Sequence, residues 1–437
     1  MKANSTFSRI IQTFSIDSPN ILQVLFFASS KYARFNYDTL RRRAMIEEVL
    51  SLVKKHEQWR SQRCINLIPS ENIMSPQVRA LLSSELAHRY TSPEGFYMGT
   101  RFIDEIEKYG EELAKTLFKA ETADLRPLSG HVADFIFLAN FMKQGDVFMC
   151  VSADDGGYPG IWVNGLPKIL GTRVEAFPFS KEKMNIQAEN AVDAIIRVKP
   201  AVVVFRASLF LFPHPVRMIA KATKEVGAHI GFDGSHVLGL IAGGKFQSPL
   251  EEGASVLFGS THKSFFGPQG GIILADKQHG EIMKKRINPA FVDNAHWNRI
   301  AALTLALAEM QKFGSAYAEQ VIRNAQALAR ALDDFGFPVV GSKLGYTKTH
   351  QVLLNYGGYK AGLEVAKRLE KANIIADCGV RLGACEVTRR GMKEPEMTQI
   401  AEFIKQVSID RKNPEQVKQE IEKLAKEFQS IQYCFSQ

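Results

Sequence analysis

One lysine and one aspartate occupy matching positions in this sequence. Lys263 lies in GSTHKSFFGPQGG, residues 259–271, directly after the apolar run ASVLFG. Asp233 closes another apolar run, HIGFD, and His236 follows three residues later. Both runs have the length of buried strands, and open parallel sheets bind their ligands beyond the carboxyl ends of the strands. Taken singly, Lys263 could be a surface lysine and Asp233 a carboxylate that caps a turn. Taken together, they favour an active site.

The chemistry that needs these two residue types is that of pyridoxal phosphate (PLP). A lysine amine forms a Schiff base with the cofactor, and an anion must keep the pyridine nitrogen protonated if the ring is to withdraw electrons from a bound amino acid. The sequence therefore predicts that Lys263 is the Schiff-base residue and that Asp233 is the partner of the pyridine nitrogen.

Two other segments suit the anionic groups of such a cofactor and its substrate. Ser129, Gly130 and His131 begin an apolar helix, whose first backbone N–H groups can bind a phosphate. Arg381 leaves a short apolar strand, and its planar guanidinium suits the bidentate capture of a carboxylate. The simpler alternatives are a helix N-cap and a surface arginine, the setting that we expect for the neighbouring Arg389 and Arg390.

The elements that must position these residues alternate between strands and helices from about residue 125 to 275. Such alternation predicts an α/β fold with a mostly parallel sheet of the seven-stranded type, covered by helices on both faces. The predicted strands are 146–153, 172–179, 201–208, 229–235, 255–261 and 270–276. Their ends would bring Ser208, Asp233, His236, Thr261 and Lys263 to one edge of the sheet.

We expect four segments along the chain. Residues 45–124 form an N-terminal helical arm, residues 125–297 a large PLP-binding domain, and residues 298–437 long helices with a small α+β domain. Residues 1–44 are basic and contain serine, which is typical of a transit peptide, but two aspartates argue against one. We favour a disordered extension, or a start codon assigned too early with Met45 as the true start.

Composition excludes several classes of protein. The chain has 437 residues, 45% of them apolar and 23% charged, and no apolar run approaches the ~20 residues of a membrane span. Residues 1–44 carry seven Lys/Arg against two Asp, which gives +5 of the net charge of +9. The remainder is nearly balanced, so we expect neither a nucleic-acid nor a membrane partner. Five cysteines without a C-x-x-C pattern predict a reducing, cytoplasmic location and no metal site.

The ordered motifs resemble those of the serine hydroxymethyltransferase family, which consists of fold-type I PLP enzymes, over about residues 53–428. The amino-acid sequences of these motifs are most similar to those of the archaeal branch, which uses a pterin other than folate. Five blocks carry the resemblance, in the order of the family: NLIPSEN, RPLSG, FDGSHVLGLIAGG, GSTHKSFFGPQGG and VRLGACEVTRRGMKEPEM.

The resemblance implies roles for individual residues. Lys263 would carry the cofactor, Asp233 would bind the ring nitrogen, and His236 would lie near the ring. Further cofactor contacts would come from Ser129, Gly130, His131, Ser208, Thr261 and His262. Ser70 and Arg381 would bind the substrate carboxylate. Tyr90 and Tyr97 match two tyrosines that a partner subunit contributes to the site, which implies a homodimer with shared active sites.

Four departures from the family pattern concern the rest of the site. The segment YTSPEGFY is shorter than its counterpart, so Glu94 is a displaced candidate for the acid–base glutamate, and Ser92 is the alternative. Where the family stacks a histidine on the ring, this chain has DGGY, and either Asp155 or Tyr158 could cover it. The loop between ANII and GVRLG, which carries pterin contacts in the family, is reduced to ADC. The stretch NPAFVDN also lacks paired glycines that contact the phosphate.

These observations predict a PLP-dependent enzyme that reversibly cleaves the Cα–Cβ bond of a β-hydroxy amino acid. The leading hypothesis is transfer of the hydroxymethyl group between serine and glycine, with a reduced pterin as the one-carbon carrier. Because the pterin loop is short, a pterin-independent threonine-type aldolase or transaldolase is the alternative. A non-catalytic PLP-binding protein is a third possibility, suggested by the shortened segment around Glu94.

Overall fold

The computed structural model describes residues 31–91, 95–378 and 381–435. It divides into two compact units, one ending at Gln62 and the other beginning at Arg63. In the first unit, the described residues form one helix, α1 (Lys31–Gln62). From residue 45 on, where the structure describes its side chains, six apolar ones are more than half exposed: Met45, Ile46, Val49, Leu50, Leu52 and Val53. The boundaries expected after residues 44, 124 and 297 stay predictions.

The second unit contains short strands and longer helices. Its strands are β1 (Ile65–Asn66), β2 (Thr122–Asp124), β3 (Val147–Cys150), β4 (Arg173–Ala176), β5 (Phe179–Ser180), β6 (Asn185–Ile186), β7 (Val202–Phe205), β8 (His229–Asp233), β9 (Val256–Ser260), β10 (Gly271–Ala275), β11 (Gln351–Leu353), β12 (Ile374–Ile375) and β13 (Arg381–Gly383). Its helices are α2 (Pro76–Leu81), α3 (Arg101–Phe118), α4 (Gly130–Phe141), α5 (Leu166–Leu170), α6 (Ala188–Val198), α7 (Val216–Val226), α8 (Leu238–Ala242), α9 (Lys277–Arg286), α10 (Trp297–Asp334), α11 (Tyr359–Lys371), α12 (Cys385–Arg389), α13 (Glu394–Ser408) and α14 (Pro414–Glu427).

Seven strands form the central sheet, in the order β2-β10-β9-β8-β7-β3-β4. The pairs from β9 to β4 are parallel, whereas β10 is antiparallel to both of its neighbours. Strands β7, β9 and β10 are buried along their whole length, as expected for a sheet with both faces covered. The predicted mostly parallel α/β architecture is therefore confirmed, and all six predicted strands contribute to the sheet. The three-residue strand β2 was not predicted.

Helix α10 links the two hydrophobic cores of this unit. Its first part, from Trp297 to Val321, belongs to the core around the central sheet. Its last part, from Ala325 to Leu332, packs into the C-terminal core together with α13 and α14. In the C-terminal part, β1 pairs with β12 and β11 pairs with β13. The segment that follows β1 lies beside β13, because the backbone N–H of Gly383 donates a 2.7 Å hydrogen bond to the carbonyl oxygen of Leu67.

The C-terminal segment is held by a buried arginine. Arg389 is completely buried, its guanidinium lies 3.8 Å from the centre of the Phe266 ring, and its Nη2 is 3.2 Å from Glu309 Oε2. Its Nη1 donates hydrogen bonds of 2.6 Å to the carbonyl oxygens of Gln432 and Tyr433. The expectation of a surface position for Arg389 is wrong, because a carboxylate and two carbonyl groups compensate the burial of its charge.

The same correction applies to Arg390, which is 7% exposed. Its Nη2 lies 3.1 Å from Glu386 Oε1, one helical turn earlier. Adjacent arginines in a sequence thus both pack inward here.

Within the described ranges, no helix is both long enough and apolar enough to cross a membrane. No disulfide bond joins the cysteines of the same ranges.

Candidate active site

The loop that carries Lys263 is fixed by its backbone. It connects β9 to β10, and Asn72 Nδ2 donates a 2.8 Å hydrogen bond to the carbonyl oxygen of Lys263. The hydroxyl of Tyr317 donates to the next carbonyl, that of Ser264, at 2.9 Å. The Thr261 hydroxyl donates to the carbonyl of Pro268 at 2.7 Å and is fully buried. Thr261, a predicted cofactor contact, therefore uses its hydroxyl to close the loop.

The environment of Lys263 favours a neutral amine. The pKa of Lys263 is lowered from 10.5 to about 8, chiefly by burial; the negative charge of Asp233 opposes this shift, and the positive charges of Arg206 and Arg381 contribute to it. An amine whose pKa lies near neutrality is a nucleophile, as Schiff-base formation requires. Asp233 and Arg381 thus lie within electrostatic range of Lys263. All three were predicted as site residues from distant segments of the sequence.

Asp233 is anchored on one oxygen and ion-paired on the other. Its Oδ1 accepts a 2.7 Å hydrogen bond from the backbone N–H of Ser235. Its Oδ2 lies 2.8 Å from Arg206 Nη1. The approach does not have hydrogen-bond geometry, so this buried Oδ2 accepts no hydrogen bond from any described residue. Arg206 also contacts Asp134 Oδ2.

Arg206 is a site residue that sequence reasoning missed. It directly follows β7, whose apolar run VVVF conceals the significance of the charge. The detectable signal is an arginine at the carboxyl end of a strand adjacent to the one that ends in Asp233.

The two candidates for covering the cofactor ring have different surroundings. The ring of Tyr158 lies 3.7 Å from the guanidinium of Arg206 and 5.7 Å from the His131 ring. Asp155, in contrast, accepts a 2.7 Å hydrogen bond from the hydroxyl of Ser152 and lies 3.9 Å from Lys181. Of the two, Tyr158 thus packs against Arg206, which is paired with Asp233.

The N-terminus of α4 has the features of a phosphate site. The Ser129 hydroxyl accepts a 3.1 Å hydrogen bond from the N–H of Val132, which makes Ser129 the N-cap of α4. Gly130 leaves no room for a side chain, since a Cβ atom there would collide with the hydroxyl oxygens of Ser260 and Ser235. The first turn of α4 therefore approaches the ends of β8 and β9 closely.

Arg381 is oriented by two partners. Its Nε donates a 2.7 Å hydrogen bond to Asp377 Oδ2, and its Nη1 donates a 2.9 Å bond to the carbonyl oxygen of Ser208. Gln351 Nε2 donates to the same carbonyl at 3.1 Å and lies 3.0 Å from His236 Nδ1. The predicted residues Arg381, Ser208 and His236 are thus joined through Gln351, which the sequence did not indicate.

His236 and His350 form a buried stack beside Lys263. Their ring centroids are 5.7 Å apart with an interplanar angle of 15°. Burial lowers the pKa of His236 well below 6.5, and the charge of Lys263 adds to this effect. Burial likewise lowers the pKa of His350 to about 3, and His350 Nε2 lies 3.0 Å from the carbonyl oxygen of Pro69. Both rings are therefore neutral near pH 7, and His350 anchors the residue before Ser70.

An open cavity of about 990 Å³ adjoins the lysine loop. Its lining includes Ser70, Asn72 and His262. Burial lowers the pKa of His262 to about 4, with a contribution from Lys263, and no described residue hydrogen-bonds its buried Nδ1. The cavity is large enough for an amino acid and part of a larger co-substrate.

The two tyrosines assigned to a partner subunit lie at the surface. Tyr90 is 46% exposed and Tyr97 is 39% exposed, and their ring centroids are 5.6 Å apart. Glu94 and Ser92, the alternatives for the acid–base group, lie outside the described residues.

The donor set fits PLP. A lysine amine with a lowered pKa, a buried carboxylate oxygen without a hydrogen bond and a helix N-terminus at a glycine are the groups that its aldehyde, ring nitrogen and phosphate need. An arginine next to the lysine suits the carboxylate of an amino acid.

Comparison with known proteins agrees with this chemistry. The family model "Serine hydroxymethyltransferase" matches residues 43–404. The serine hydroxymethyltransferase of Methanocaldococcus jannaschii is 44% identical over 407 residues, covering 88% of this chain and 94% of that protein. The serine hydroxymethyltransferase of Methanocella arvoryzae is 43% identical over 390 residues, covering 84% and 92%.

Among solved structures, an L-threonine transaldolase from Pseudomonas fluorescens in its internal aldimine state superposes with a TM-score of 0.85 at 27% sequence identity. The superposition covers 91% of this chain and 96% of that one. The family model matches most of the sequence, and the archaeal relatives are more than 40% identical to it. This chain therefore belongs to the serine hydroxymethyltransferase family of PLP-dependent enzymes.

Proposed function

We propose that this enzyme interconverts serine and glycine and passes the hydroxymethyl group to a reduced pterin. The observation that carries the proposal is the buried Lys263 amine, which has a pKa of about 8 and lies within electrostatic range of Asp233 and Arg381. PLP, when it is bound at Lys263, supplies the electron withdrawal that weakens the bonds at Cα of an amino acid.

The residues of the chain then divide the remaining work. Arg381, with its Nε and one Nη1 hydrogen already oriented by Asp377 and Ser208, offers its outer N–H groups to the substrate carboxylate. Ser70 supplies a hydroxyl for the same carboxylate from the cavity wall. We assign removal of the β-hydroxyl proton to Glu94 or to His262, which is neutral near pH 7 and faces the cavity.

Contacts with the cofactor follow from the same geometry. Asp233 Oδ2 would accept the ring-nitrogen proton, and the Tyr158 ring would cover the pyridine. Ser129, Gly130 and His131 would bind the phosphate at the start of α4. Ser208 and His236 would lie along the ring edge, which their connection through Gln351 supports.

A homodimer with shared sites accounts for the exposed aromatic residues. Besides Tyr90 and Tyr97, the side chains of Phe96, Met98 and Phe102 are 68–85% exposed, and clustered exposed apolar groups are typical of interfaces. In this assembly the two tyrosines reach the active site of the other subunit. We also infer a cytoplasmic location, which is supported by the lack of disulfide bonds in the described ranges.

A pterin-independent aldolase or transaldolase is the second candidate. Only Ala376, Asp377 and Cys378 stand between β12 and the GVRLG motif, and Asp377 is engaged with Arg381. The similarity to a threonine transaldolase also favours this alternative, though at lower sequence identity than the archaeal relatives.

One assay separates the two candidates. Glycine formation from L-serine and from L-threonine is measured without a pterin, with tetrahydrofolate and with tetrahydromethanopterin, and the Lys263→Ala protein is the control. The proposal expects serine turnover that depends on a reduced pterin. Equal rates with and without a pterin would support the aldolase, and turnover no higher than that of Lys263→Ala would leave only a PLP-binding role.

A further inference from the structure

A buried cluster of three charges surrounds the carboxylate assigned to the ring nitrogen. Arg206 is 5% exposed, Asp134 1% and Asp233 2%. The guanidinium of Arg206 contacts one oxygen of each carboxylate, namely Asp134 Oδ2 on α4 and Asp233 Oδ2 at the end of β8. A single cation is therefore shared between two anions in a region of low dielectric, where such interactions are strong.

The oxygen of Asp233 that faces Arg206 is also the one that remains for another partner. Since Oδ1 is engaged by the backbone of Ser235, Oδ2 is the atom that can accept a further hydrogen bond. Arg206 also lies 3.7 Å from the ring of Tyr158, the residue that would cover the cofactor. The guanidinium thus lies beside the place where a protonated ring nitrogen would bind.

We propose that Arg206 is a positioning residue that competes with the protonated ring nitrogen of the cofactor for Asp233 Oδ2, and so weakens the hold of Asp233 on that proton. Asp134 reduces this competition, because it forms a second ion pair with Arg206. The proposal rests on the assignment of the site to PLP and adds a specific electrostatic control to it. As a result, the bound cofactor withdraws electrons less strongly than it would if Asp233 were not paired with Arg206.

The cluster provides two variants with opposite expected effects. The double variant Arg206→Met/Asp134→Asn removes one positive and one negative charge, so the net charge of the cluster is kept while Asp233 is left without a competitor. Asp134→Asn alone leaves the whole guanidinium to Asp233. These two proteins and the wild type are compared with PLP and with 1-deaza-PLP, which has a CH group in place of the ring nitrogen.

The quantity to measure is the ratio of the dissociation constants of 1-deaza-PLP and PLP in each apoprotein. This ratio reports the contribution of the ring nitrogen alone, so a general loss of packing does not change it. We expect the ratio to rise about tenfold or more in the double variant and to fall severalfold in Asp134→Asn, since charges a few ångströms apart interact strongly in a region of low dielectric.

A second readout uses the charge of Lys263. The positive charge of Arg206 lowers the pKa of Lys263. In the apoprotein, the pH at which the rate of PLP attachment is half-maximal should therefore rise in the double variant. Circular dichroism establishes that each protein is folded, and Asp134→Asn carries the test by itself if the double variant does not fold.

Different outcomes would overturn the role of Arg206 and the assignment of the site to PLP. A wild-type protein that binds PLP, together with an unchanged or raised ratio in Asp134→Asn, would overturn the role of Arg206 but not the assignment of the site. The same holds if a folded double variant has the wild-type ratio. A wild-type protein that binds neither compound would overturn the assignment itself.

Discussion

The side chain of Asn72 donates a hydrogen bond to the backbone carbonyl of Lys263, 191 residues later in the chain, at 2.8 Å. The same amide nitrogen lies 2.9 Å from the hydroxyl of Tyr317, which in turn donates to the carbonyl of Ser264. Two consecutive carbonyl groups of the lysine loop are therefore fixed by side chains from the N-terminal segment and from α10. Such support restricts the Lys263 amine to one region, as a catalytic lysine requires.

The lowered pKa of Lys263 should make the stability of the apoprotein depend on pH. Because the pKa is about 8 in the folded state and 10.5 in the unfolded state, the unfolded chain binds more protons between these values. The free energy of unfolding should then rise with pH through this window, by about 3 kcal/mol in total from this group. Urea unfolding of wild type and Lys263→Met from pH 7.5 to 10.5 measures the difference. Parallel curves would contradict the burial of a titrating Lys263.

Replacement of Arg381 should affect substrate binding more than turnover. Arg381→Lys keeps the charge but loses the fork of N–H groups that Asp377 and Ser208 orient, so we expect the KM for L-serine to rise about tenfold or more with a smaller change in kcat. Arg323→Lys, at an ion pair that is more than one-third exposed on both sides, is the matched control. A reduced kcat with an unchanged KM would exclude Arg381 as the carboxylate ligand.

Loss of Arg389 should destabilise the fold. Arg389→Met leaves the buried Glu309 without its counter-charge and frees the backbone of Gln432 and Tyr433, so we expect a loss of about 3 to 5 kcal/mol. The double variant Arg389→Met/Glu309→Leu should recover part of this loss, since no unpaired charge is then left inside. Urea unfolding is the measurement, and Arg323→Met is the exposed control. A loss below about 1 kcal/mol in Arg389→Met would show that the pair is dispensable.

Site residues could be predicted from the sequence where the local pattern of residues and the chemistry of the side chain indicate the same role. Lys263 and Asp233 are predicted as neighbours because Asp233 ends one apolar strand, Lys263 follows another, and the carboxyl ends of parallel strands meet at one edge. The helix at Gly130 was predicted for similar reasons, since an N-cap serine followed by an apolar run is a local signal.

Residues whose roles depend on distant partners were not predictable in this way. Arg389 has the same local sequence context as a surface arginine, and only Glu309 and the C-terminal carbonyl groups, which come from other parts of the chain, explain its burial. Arg206 and Gln351 were missed for the same reason: the partners that give them significance, Asp233 for Arg206 and His236 for Gln351, come from other parts of the chain. The short strand β2 lacked enough residues for a periodic pattern.

The central claim, that Lys263 covalently binds PLP, is tested most directly by absorption spectroscopy of the purified protein reconstituted with PLP. Reduction with borohydride followed by peptide mass analysis then locates the attached group. We expect a visible band that borohydride abolishes, with the added mass on Lys263, and the same result for Lys245→Ala, which alters a lysine paired with Glu319 at the surface. Lys263→Ala should lack the band. A protein whose spectrum does not respond to PLP, or an added mass on another lysine, would contradict the account.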